Sequence, residues 1–86
     1  MIITKKILAD NILDYLHHRI SLSELVDWSE NILMDGEFDE NDFELLKEIT
    51  GRLGLADVRA FGLLWEDCED YLNKLGYKVN IKAEAI

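Results

Sequence analysis

From residue 4 to residue 75 the apolar positions return every three or four residues, and beyond that point they return every second residue. The first pattern predicts helices and the second a half-buried strand. Leu8, Ala9, Ile12, Leu13, Leu16 and Ile20 form a broad apolar face with Asp10, Asp14, His17 and His18 opposite, so a first helix is expected over roughly residues 4–18. I20-S-L-S-E-L25 is the next start signal. Ser21 caps, Glu24 three residues on completes a capping box, and Ile20 with Leu25 fits the hydrophobic staple. The second helix then runs to about Met34, with Leu22, Leu25, Val26, Ser29, Ile32 and Leu33 inward and Trp28 on the flank. Ser29, at mid-stripe, is small enough to let a neighbouring helix come close.

M34-D-G-E-F-D-E-N-D-F43 holds five acidic residues and a glycine. Gly36 is expected to stop the second helix in a left-handed conformation. Asp39 then caps a third, with Asp42 as its box partner and Phe38 and Phe43 as the staple. That helix runs to about Leu53, burying Phe43, Leu46, Ile49 and Leu53, and Gly51 and Gly54 end it. Residues 55–61 read as a turn or a two-turn helix. The last helix spans roughly Leu64 to Leu75, with Leu64, Trp65, Cys68, Tyr71, Leu72 and Leu75 on one side, Glu66 and Asp67 in the first turn and Gly76 after its end. Tyr77, Val79, Ile81, Ala83 and Ala85 carry the alternation of a lone strand, which needs a partner: Met1 to Ile3, a second subunit, or another protein. The fold class is therefore all-α, a compact bundle of four main helices with a short fifth near 55–61 as an option. Residues 1–76 form the helical domain, and 77–86 an extended tail or short strand.

At 86 residues the chain is one domain, near the lower limit at which a core holds a fold without staples. The single cysteine excludes an internal disulfide, and M1-I-I-T-K-K-I-L lacks the apolar run of a signal peptide. No apolar run is long enough to span a bilayer. The expected location is the cytoplasm, with no membrane contact. Charge sharpens this. The net charge is -9, and residues 21–50 carry ten carboxylates against Lys47 alone. That field repels phosphate backbones, which disfavours direct nucleic-acid binding, and attracts a basic protein.

Several chemistry-bearing residues fit simpler structural roles. Read as an EF-hand loop with Gly36 at position 6, the stretch has Asp35, Phe38 and Asp39 at suitable positions and Asp42 at position 12, where its shorter arm makes the usual bidentate contact harder. Its first and third positions fall on Asn31 and Leu33, inside the second helix, so no calcium site is expected. Asp14 and His18 offer half of a zinc site without the remaining ligands, and the solvated helix face is preferred. Cys68, between Asp67 and Glu69 on an apolar stripe, reads as a small buried hydrophobe rather than a nucleophile. No serine is paired with a histidine base, and no phosphate-binding or H-E-x-x-H motif occurs. No catalytic residue, cofactor or metal is therefore expected.

Two functions follow. In the first the chain is a non-enzymatic interaction module, using the acidic face of residues 21–50 to bind a basic partner. Glu24, Asp27, Glu30, Asp35, Glu37, Asp39, Glu40 and Glu44 form the charged rim and Trp28 the aromatic anchor. Trp28, Asp35, Glu37, Glu40 and Glu44 are the principal candidates. In size and acidity the chain is similar to the immunity proteins that neutralise nuclease toxins, without sharing their residue motifs; a mimic of nucleic-acid charge is a related version. The simpler alternative is a face that only keeps the protein soluble. In the second function the chain is an obligate homo-oligomer, joined through the 77–85 segment or a leftover helix face, with a structural or small-molecule-binding role.

Overall fold

The computed structural model describes residues 2–80 and residue 85. Among these described residues four helices and one small sheet follow in the order β1 (Ile2–Ile3), α1 (Lys5–Leu16), α2 (Leu22–Asp35), β2 (Glu37–Phe38), a 3-10 turn (Glu40–Asp42), α3 (Phe43–Leu53) and α4 (Trp65–Lys74). Among the described residues no helix is long and apolar enough to cross a membrane.

Local signals set most helix ends. Thr4 Oγ1 accepts the Ile7 N–H at 3.2 Å to start α1. The capping box at α2 is complete: the Glu24 N–H donates to Ser21 Oγ at 3.1 Å, and the Ser21 N–H donates to Glu24 Oε1 at 3.1 Å. At α4 the Leu64 N–H donates to Asp67 Oδ2 at 2.9 Å. Gly76, at φ 95°, ends that helix in a Schellman arrangement, with the Tyr77 N–H on the Leu72 carbonyl and the Gly76 N–H on the Asn73 carbonyl.

The core lies where α1, α2, α3 and α4 converge, on Leu8, Ile12, Leu25, Leu46, Leu53 and Leu72. Helices α2 and α3 make the most extensive contact. Ser29 is fully buried in α2 and donates its hydroxyl to the Leu25 carbonyl at 2.8 Å, so the polar group at mid-stripe is satisfied within its own helix.

The all-α expectation needs amending. β1 and β2 pair in parallel, with Ile2 opposite Glu37 and Ile3 opposite Phe38, so α1 and α2 together form the connection between two strands. Ile3 is fully buried and Ile2 is 56% exposed, the alternation a half-buried strand requires. Two-residue strands are too short for periodicity to disclose, and the sequence pattern offered β1 only as one possible partner for the C-terminal segment. Tyr77 to Asn80 form no strand, and Val79 packs part-buried against the core. Residues 81–84 and 86 lie outside the described residues, and with them most of the expected tail strand.

Three helix ends also differ from expectation. Gly36 is extended (φ -81°, ψ 157°), not left-handed. Asp39 caps the 3-10 turn, with Oδ1 accepting the Asn41 N–H at 3.0 Å, and α3 begins a turn later with no side-chain bond from Asp42. Gly51 lies inside α3 rather than at its end. The segment 55–61 forms turns with no α-helix.

A candidate acidic binding surface

The surface around Glu37 is built by a tight exit from α2. A Cβ at Gly36 would lie 2.7 Å from the Ile32 carbonyl oxygen and 2.9 Å from Ile32 Cγ2. Only glycine lets the backbone turn this closely against the helix end, and the next two residues thereby reach β1. Register then sorts the side chains: Ile3 is buried and Phe38 packs against the core, while Ile2 and Glu37 are exposed.

The 3-10 turn redirects the chain into α3 and leaves Glu40 and Glu44 exposed. Glu40 belongs to two adjoining shallow depressions. One is lined also by Ile2, Glu37, Phe38 and Asp39, the other by Asp42, Phe43, Glu44 and Leu45. Glu37, Glu40 and Glu44 therefore lie along one continuous strip. Among the described residues none of the three has an ion-pair partner. Two cations stand nearby and are engaged: Lys5 lies 3.8 Å from Asp42, and Lys47 sits 5.6 Å from the centre of the Phe43 ring.

The structure does not bring the other two candidates into this strip. Asp35 is exposed as the last residue of α2, and Trp28 is part-buried against the core; neither lines the depressions. Phe43, expected to be buried, is 42% exposed in the middle of the strip, edge-on to Phe38 with ring centres 6.0 Å apart. Its spacing from Leu46 and Leu53 read as core. The later start of α3 makes it the first residue of that helix.

Within the wider acidic rim, Glu24 is held by its capping box and Asp39 by the 3-10 turn. The helix-one carboxylates are also engaged, Asp14 with Arg19 at 3.2 Å and Asp10 with Lys6 at 2.8 Å. The Lys6 ammonium pKa is raised above its usual range by that hydrogen bond and charge. Among the described residues no three His, Cys, Asp or Glu side chains gather in a metal-binding group. Asn31 and Leu33 are helical, so the EF-hand-like spacing does not form a loop. Cys68 is 1% exposed, and burial first, then the Asp67 charge, pushes its thiol up to about 11, leaving it protonated at neutral pH.

A second feature escaped the sequence pattern. Leu55, Val58, Phe61, Leu64 and Trp65 are all exposed, Phe61 and Leu64 most strongly, at 65% and 64%. Leu64 and Trp65 were expected on the inward side of α4, but they stand at its first turn, where only Cys68, Tyr71 and Leu72 of the helix are buried. Comparison with protein families, with curated proteins and with solved structures finds no match for this chain.

Proposed function

We propose that the chain is a non-enzymatic protein–protein interaction module of inhibitor or immunity type, acting in the cytoplasm, that binds a basic protein through Glu37, Glu40 and Glu44. The scaffold in this reading is a compact bundle of the four helices, residues 1–76, with an extended C-terminal segment. The observation that carries the proposal is the strip itself. Among the described residues the three carboxylates have no ion-pair partner, and Glu40 and Glu44 line the depression that also holds the exposed Phe43 ring, the combination that steers a cationic partner and then anchors it. Phe43 takes the anchor role that sequence spacing gave to Trp28. A face serving solubility alone requires no aromatic side chain at its centre.

The test is affinity capture from source-cell lysate at low and high salt, with wild-type bait, Phe43→Ala, and a Glu37→Lys/Glu40→Lys/Glu44→Lys triple variant. The expected result is a basic protein held by wild type, weakened by roughly tenfold or more without Phe43. The triple variant should lose it, and wild type should release it at moderate ionic strength. Recovery of the same proteins by wild type and the triple variant would refute the proposal.

A further inference from the structure

The small sheet leaves backbone groups unpaired at its edge. Ile3 lies opposite Phe38, and the Asp39 N–H donates to the Ile3 carbonyl at 2.9 Å, so a neighbour of Phe38, and not Phe38 itself, bonds to β1. Backbone groups alternate in direction along a strand, and the N–H and C=O of Phe38 therefore point away from β1. Among the described residues the sheet has no third strand, and neither Phe38 group has a hydrogen-bond partner. An open depression of about 340 Å³ borders β2 and the turn after it, lined by Ile2, Glu37, Phe38, Asp39, Glu40 and Asn41.

We infer that this edge takes an extended segment of the basic partner as a third strand, its main chain bonded to Phe38 and its Lys or Arg side chains set against Glu37. The inference rests on the proposed function and adds the form in which the partner binds. A free edge is completed by a strand that brings its own donors and acceptors, and side-chain alternation supplies specificity. Charge selects which strand. Carboxylates beside an edge guard against pairing with another copy. With Glu37, Asp39 and Glu40 at this edge and a net charge of -9 on each chain, a second copy is repelled, whereas a cationic strand is drawn to the same carboxylates. Alternation then sets the pattern. The residue paired with Phe38 shares the face of Phe38 and Ile3, and the residues before and after it share the face of Glu37 and Ile2, both exposed. A basic–apolar–basic segment fits that order. One residue offers only two main-chain bonds, so the carboxylates must supply much of the attraction.

NMR titration of the isotope-labelled full chain at low salt with acetyl-Lys-Lys-Val-Lys-Lys-amide tests this, beside the same peptide N-methylated at Val or at the Lys that follows it. Only every second amide of an added strand faces Phe38. One of the two methylations should therefore weaken binding about fivefold or more, and the other less than about twofold. The Phe38 amide should exchange freely with solvent in the free chain and about tenfold more slowly with peptide bound. Glu37→Lys, at an exposed position, should weaken the unmethylated peptide about threefold or more. A peptide that binds at Glu37, Glu40 and Glu44 with equal loss from the two methylations, or with Phe38 exchange unchanged, would overturn the added strand and leave the acidic strip standing. A Phe38 amide already protected in the free chain would also overturn it. No binding by any of the three peptides would overturn the added strand and count against the strip as well.

Discussion

Cys68 shows how one residue's surroundings set a property of the whole protein. Flanked by two acidic residues on an apolar stripe, it reads from sequence as a buried, inert thiol, and it is 1% exposed in the structure. Its pKa rises from 9.0 to about 11, chiefly through burial and secondarily through Asp67. Tyr71 is shifted the same way, burial first and Asp67 second, with Arg52 opposing. A raised acid pKa means that the folded state keeps a proton the unfolded chain gives up. The contribution is complete below the unfolded pKa near 9 and is lost as pH rises through the folded value near 11. Urea unfolding should therefore show a stability decrease of about 2 kcal/mol between pH 8 and about 10.5 from Cys68 alone. Cys68→Ala should be less stable at pH 8, from its small cavity, yet show a visibly flatter alkaline fall. Equal slopes for the two proteins would assign the fall to other groups. Burial of this residue was legible because one helix stripe determines it; the exposure of Phe43 was not, because it depends on where the helix begins.

Helix ends are where local sequence and tertiary structure divide the control of this fold. The box at Ser21 and Glu24 and the glycine stop at Gly76 were legible, since each is closed by residues within a few positions. Gly36 and Gly51 were misread because glycine after an apolar stripe has the same letter whether it supplies a positive φ, a close approach, or nothing. Two of these cases separate on substitution by alanine. At Gly51 an added Cβ meets nothing within 4 Å in a helix interior, so Gly51→Ala should stabilise by about 0.5–1 kcal/mol through helix propensity. Gly76→Ala, at φ 95°, should destabilise by about 1–2 kcal/mol through backbone strain. Denaturant midpoints with unchanged slopes would report both. The same sign at the two positions would contradict the different backbone states assigned to them.

Across the whole molecule, the acidic excess of residues 21–50 was evident from composition, but its division into used and unused carboxylates was not. The placement of Glu37 depends on β1 reaching β2, a pairing between residues 35 positions apart with no periodic signature. Once it forms, Glu37, Glu40 and Glu44 share a strip in which, among the described residues, none of the three has an ion-pair partner, and like charges held together oppose folding. Raising NaCl to about 0.3 M, where the Debye length is shorter than in dilute buffer, should therefore raise the unfolding midpoint of wild type. Glu40→Lys, at the junction of the two depressions, should stabilise the protein in low salt by up to about 0.5 kcal/mol, because it removes repulsion on both sides. It should also reduce the salt dependence. If the proposed function holds, the same substitution should weaken capture of a basic partner. A variant that is more stable and less able to bind is what a surface held against its own stability for recognition produces. A strip that only solubilises would show the gain in stability with no loss of any partner, so the two measurements on one substitution separate recognition from solubility.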